Sequence, residues 1–160
     1  MTHKHNPKMM TNYNRIINRI GIPGQFKNFK FNNGGWKGAK RGDCVIRAIS
    51  IATEKPYGLV FNELMDMAKD KVNLPNSKKI YMPYLKKTGW RWRPTMGIGT
   101  GCKVHLKASE LPKGRIICRL SKHLVAVVDG VVHDTYNPSR DGTRCVYGYF
   151  YKREEAEIYE

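Results

Sequence analysis

Long apolar runs are the first thing missing from this chain of 160 residues. No stretch approaches the ~20 apolar residues that a membrane-crossing helix needs. The amino-terminal MTHKHNPKMMTNYNRIINRI also lacks the apolar stretch of a secretory signal. Internal repeats are absent. The four cysteines, Cys44, Cys102, Cys118 and Cys145, contain no CxxC pair. Without a secretory signal they read as reduced cytosolic thiols, not as a disulfide framework. These absences predict a cytoplasmic domain with no membrane insertion. Hydrophobic residues at 41% and aromatics at 11% exclude wholesale disorder. A chain of this length forms about one domain, so a core can form without a metal or disulfide staple.

Negative charge is missing from the first part of the chain. The first acid is Asp43, whereas Lys4, Lys8, Arg15, Arg19, Lys27, Lys30, Lys37, Lys40 and Arg41 precede it. The whole chain carries 29 bases against 13 acids, a net +16, and the sign reverses only in the tail, at Glu154, Glu155, Glu157 and Glu160. Such a balance attracts polyanions, whether nucleic acid, an anionic envelope polymer or an acidic protein. Residues 1–42, rich in Asn, Gly and Lys, read as a basic amino-terminal arm. A short basic helix is expected over Tyr13–Ile20, and Phe26, Phe29, Phe31 and Trp36 are available to drape the arm on the domain.

Beyond the arm, helices come first. Gly42-Asp43 supplies a break and an N-cap acid, followed by Val45, Ala48, Ile49 and Ala52 at helical spacing. Ile46 and Ile51 add apolar character on the remaining sides, as in a helix buried nearly all round. Pro56 opens a second helix with Val60, Phe61, Leu64, Met67 and Ala68 as its stripe, and a third is expected over Met82–Thr88. After Gly89 the texture turns to short strands, around Trp90–Trp92, Lys103–Leu106, Arg115–Leu120, Leu124–Val128 and Val146–Tyr151. Asp129-Gly130 between β-branched runs is a two-residue hairpin turn. Helices followed by an antiparallel sheet make an α+β fold.

The hairpin also locates chemistry. With Asp129-Gly130 as the turn, Val128 faces Val131, Ala126 faces His133, and Asp134 lies opposite Val125. His123 is two residues from Val125, so His123 and Asp134 become diagonal neighbours on one side of the sheet, and His133 falls on the other. A carboxylate there orients an imidazole and stabilises its cation. Cys44 opens the first helix, where unpaired N–H groups and the positive helix end favour a thiolate. The same N–H groups can hold an oxyanion. Cys44, His123 and Asp134 thus supply a nucleophile, a base and an orienting group.

A Cys opening a helix, then a His at the head of a strand, then an Asp on the next strand, resembles the papain-like cysteine peptidase superfamily. The likeness runs from Gly42 to Tyr151. GDCVIRAIS, ELPKGRIICRLSKHLVAVVDGVVHDTYNPS and GTRCVYGYFYK are more narrowly similar to small uncharacterised phage- and plasmid-encoded proteins. The resemblance implies a papain-like domain over 43–160, with Cys44 as nucleophile, His123 as base and Asp134 as third member. It implies cleavage or transfer at an amide, isopeptide or thioester bond of a host or phage protein, in the cytoplasm of an infected bacterium, with no cofactor. Six positions before Cys44, where papain has the glutamine of its oxyanion hole, this chain has Gly38. Gln25, Asn28, Asn32 and Asn33 are the candidate substitutes.

Other readings rest on other features. A peptidoglycan amidase or endopeptidase of the CHAP type also uses Cys then His, and a basic surface suits an anionic wall. A non-enzymatic basic module would dock its arm on nucleic acid or an acidic protein. Trp90, Trp92, Tyr81 and Tyr84 interleaved with Lys86, Lys87, Arg91 and Arg93 suggest a stacking platform, although aromatic strand packing explains them too. Cys102-Lys103-Val104-His105 has CxxH spacing, with Cys118 and Cys145 in reserve, but no second close pair completes a zinc site. Gly97-Ile98-Gly99-Thr100-Gly101 lacks the phosphate-loop pattern and reads as a turn.

Overall fold

The computed structural model describes residues 28–36 and 42–152. The expected helix at Tyr13–Ile20, the positions Gln25, Phe26 and Gly38, and the acidic tail lie outside them. Among the described residues, three helices pack on a six-stranded mixed sheet. In chain order these are β1 (Phe29–Phe31), α1 (Cys44–Thr53), α2 (Tyr57–Lys71), α3 (Lys78–Lys87), β2 (Arg91–Pro94), β3 (Arg115–Leu120), β4 (His123–Val128), β5 (Val131–Asp134) and β6 (Gly148–Tyr151). The strand order is β1-β5-β4-β3-β6-β2. The fold is α+β. No helix among the described residues is long and apolar enough to cross a membrane.

The α1 helix is central because its surface is apolar on nearly every side. Val45, Ile46, Ala48, Ile49, Ile51 and Ala52 are all buried. Asp43 occupies the N-cap position, but its side chain makes no capping bond; it is drawn to Arg47 instead. The α2 helix begins after Pro56 and buries Val60, Leu64 and Ala68, with Met67 half-buried. Phe61, expected in that stripe, faces outward and is 41% exposed. The α3 helix starts at Lys78, four residues before the expected Met82, because Ser77 caps it by accepting from the Lys79 N–H. Pro83 therefore sits inside the helix, where burial of Ile80, Tyr81, Tyr84 and Leu85 offsets the lost hydrogen bond.

Each side of the sheet has its own core. Ile117, Leu124, Ala126 and Phe150 face the helices, whereas Ile116, Cys118, Leu120, Val125, Val127 and Tyr149 form a second cluster with Phe29, Leu106 and Val146. The hairpin register is the expected one: Val128 pairs with Val131, Val127 with Val132 and Ala126 with His133. Asp129 and Gly130 both take the left-handed conformation that this tight turn requires.

The sheet is not purely antiparallel. Phe29–Phe31, from the stretch read as an arm, pairs parallel with Val132–Asp134 and forms the sheet edge. Lys103–Leu106 forms no strand and contributes only a His105–Cys145 bridge. That bridge brings Cys102 to Cys145, and the two form a disulfide with 5.8 Å between their Cα atoms. The expectation of four reduced thiols is therefore corrected: Cys44 and Cys118 are the free cysteines. The same pairing removes two ligands from any zinc site, and Cys118 is fully buried.

The aromatic run is no stacking platform. Trp90, Tyr81 and Tyr84 are buried in the helix-side core, and Trp92 packs on Phe150 at 4.7 Å between centroids. Trp92 also lies across Gly148, where a Cβ would come 2.3 Å from its ring, so this strand position requires glycine. Gly97 and Thr100 close a turn on each other through the Thr100 hydroxyl.

Candidate active site

Three elements converge at the amino-terminal end of α1. Cys44 is its first residue, His123 opens β4 and Asp134 closes β5. The His123 Nε2–H donates to Asp134 Oδ2 at 2.6 Å, beyond the last ladder pair of the hairpin. Cys44 lines one cleft with His123 and Leu124, close enough for the His123 ring and the Leu124 backbone N–H to act on its thiol. Because Nε2 is engaged by Asp134, Nδ1 is the ring nitrogen left for the sulfur. All three residues singled out in the sequence are thus brought together, His123 and Asp134 by a hydrogen bond and Cys44 beside His123 in the same cleft.

Electrostatics in this line favour charge separation. Burial pushes the Cys44 thiol up, but the His123 hydrogen bond, the Leu124 N–H and the positive charges of His123 and Arg47 outweigh it and leave the thiol below its ordinary value. Burial acts on His123 in the opposite sense, towards the neutral ring. Its hydrogen bonds to Asp134 and Cys44, and their charges, prevail and raise it to about 9. Both shifts act in the direction of a thiolate beside an imidazolium. Cys118 shows the contrast: wholly buried without a polar partner, its thiol is pushed far up and stays neutral.

Arg47 completes the site and was not anticipated. One turn into α1 from Cys44, it is 6% exposed. Its Nη2 donates to Asp134 Oδ1 at 2.8 Å, and its Nη1 to Asp43 Oδ1. Asp134, 1% exposed, also accepts from the Thr135 N–H at 2.7 Å. Three donors thus fix this carboxylate. On the far side, Tyr57 donates to Asp43 Oδ2 at 3.3 Å, and Trp36 stacks on the Tyr57 ring at 5.5 Å. Tyr136 leans on the His123 ring, 5.4 Å between centroids.

The other candidates lie elsewhere. His133 bonds to the Asn32 amide at 3.2 Å and lines a different cleft with Lys30, Ser50 and Arg115. Asn32 and Asn33 accept from the Gly34 and Gly35 N–H groups, which assigns both to a local turn. Asn28 is exposed and its carbonyl accepts from Val132. None of these three is thus shown beside Cys44. The cleft at Cys44, about 530 Å³, is lined instead by Asn76, Tyr81, Leu120, Lys122, His123 and Tyr147 among others. Asn76, in the α2–α3 loop, is its one side-chain amide. Among the described residues no group of three or more His, Cys, Asp or Glu gathers as a metal site would require.

Comparisons of the chain with protein-family models, with curated proteins and with solved structures find no match.

Proposed function

We propose that the chain is a cysteine peptidase-like hydrolase or acyl transferase of papain-like arrangement. Its target is an amide, isopeptide or thioester bond. One observation carries this reading: His123, bonded to Asp134 at 2.6 Å, lines the same cleft as Cys44, whose thiol it acts on. That constellation is the nucleophile, base and orienter that acyl transfer needs.

The Cys44 thiolate attacks the substrate carbonyl, forming the C–S bond and moving the carbonyl π electrons onto oxygen. The Cys44 backbone N–H, unpaired at the helix start, stabilises that oxyanion, and the Asn76 amide is positioned in the cleft to assist. His123 then donates its proton to the departing amine or thiol as the scissile bond breaks, leaving a thioester on Cys44. Neutral His123 next takes a proton from water, or from an acceptor amine, which attacks the thioester. Collapse of the second tetrahedral intermediate releases the acyl product and returns thiolate and imidazolium. Asp134 keeps one proton position of the ring fixed throughout. The substrate proposed for this chemistry is a host or phage protein in an infected bacterial cell.

Incubation with an activated ester, followed by mass spectrometry, tests this reading. An acyl adduct on Cys44, removed by hydroxylamine and lost in Cys44→Ala, is expected. Equal ester turnover by wild type and Cys44→Ala, with no adduct, would contradict it.

A further inference from the structure

The cleft around Cys44 has a one-sided charge. Its lining contains Lys78, Arg119 and Lys122 from three separate elements, and no Asp or Glu. Carboxylates that do meet bases lie outside this cleft: Asp43 and Asp134 on Arg47, Glu63 on Lys55, and Glu54 on Arg115. Among the described residues, no ion pair engages the three cleft cations. Lys122 is also held at φ +53° in the Ser121-Lys122 turn that leads directly into His123. That conformation suits glycine or asparagine and costs a lysine stability, so a β-hairpin shaped only for folding would favour another residue.

We propose that this cleft is a subsite for an acidic peptide segment, one with carboxylate side chains beside the scissile carbonyl. The inference rests on the hydrolase reading above and adds the substrate's charge. Lys122, adjacent to His123 in the chain, lines the cleft beside Cys44. Arg119 and Lys78 border the same cleft. The net charge of +16 draws such a segment towards the protein, and the unpaired cleft cations give it a place to stop. A peptide is favoured over nucleic acid because the nucleophile shares the cleft, and acyl chemistry there needs a carbonyl that a peptide backbone supplies and a phosphodiester backbone does not.

A matched set of peptidyl vinyl sulfones tests the proposal, with Glu, Gln or Lys in the two positions before the electrophile. The readout is the rate of Cys44 modification. Glu peptides should react fastest and Lys peptides slowest, with the ratio shrinking at high salt. Each rim cation should contribute about twofold to fivefold to that ratio. Lys122→Asn, which accepts the turn conformation, should fold at least as well as wild type yet lower the Glu-to-Lys ratio, and Lys122→Glu should lower it further. Equal rates for all three peptides would overturn the acidic subsite while leaving the hydrolase reading intact. Failure of every peptide to modify Cys44 faster than a free thiol would remove both. Protection of Cys44 by a single-stranded oligonucleotide, but not by a Glu-rich peptide, would overturn the peptide as occupant.

Discussion

Arg47 and Asp134 are joined at 2.8 Å by an ion pair that is almost wholly out of water. The pair ties the helix bearing Cys44 to the strand whose carboxylate backs His123. Because Arg47 also holds Asp43, its removal strands two buried carboxylates. Arg47→Met is expected to lower stability by roughly 3–5 kcal/mol, the cost of breaking a buried pair by deleting one partner. Urea denaturation would read this as a lower midpoint with an unchanged slope. Arg47→Met with Asp43→Asn should recover part of the loss. An unchanged midpoint in the single variant would show that the pair contributes nothing.

Asp134→Asn separates orientation from mere packing. Burial favours the neutral His123 ring, and the Asp134 bond is the foremost influence opposing it, with Cys44 next, so that the group is raised to about 9. Without the carboxylate the imidazolium is lost at lower pH. Turnover requires that imidazolium to protonate the leaving group, so the basic limb of the rate profile, near pH 9 in the wild type, should move down in Asp134→Asn. The deficit should therefore be larger at pH 8.5 than at pH 6, reaching about 10²-fold or more. A basic limb that stays in place would assign Asp134 a structural role only.

The cysteines differ enough to be counted. Without reductant, iodoacetamide should label Cys44 alone, since Cys102 and Cys145 are joined and Cys118 is fully buried. Reduction should open Cys102 and Cys145 and leave Cys118 protected until the chain unfolds. The disulfide closes a loop with a sequence separation of 43. In the loop-entropy picture such a link is worth roughly 4 kcal/mol, so the reduced protein should unfold at distinctly lower urea. Labelling of all four cysteines in the native, unreduced protein would contradict both statements.

The site was more legible in the sequence than the fold around it. His123 and Asp134 could be paired in advance because a two-residue Asp-Gly turn dictates the register of everything beyond it. Cys44 was legible because Gly42-Asp43 marks a helix start and the apolar spacing that follows confirms it. Arg47 was not, since a basic residue inside an apolar helix announces no partner until the fold delivers Asp134. The parallel edge strand was hidden for a similar reason. Phe29–Phe31 sits in an Asn-, Gly- and Lys-rich stretch, and its partner Val132–Asp134 is remote in the chain. Cys102 and Cys145 meet only because a single bridge at His105 brings their segments together. The α3 helix begins four residues before the expected Met82 and holds Pro83 inside it, a case in which core burial overrides a local rule.

The pH dependence of Cys44 alkylation, in wild type and His123→Ala, tests the central claim most directly. Burial alone would raise the thiol, and His123 supplies the largest opposing influence. In the wild type, reaction should stay fast as pH falls below the ordinary thiol range and decline only when the lowered group is protonated. His123→Ala should move the midpoint upward, because burial then acts with less opposition. A wild-type profile already centred at the ordinary thiol value, and unmoved by His123→Ala, would contradict a thiolate–imidazolium pair.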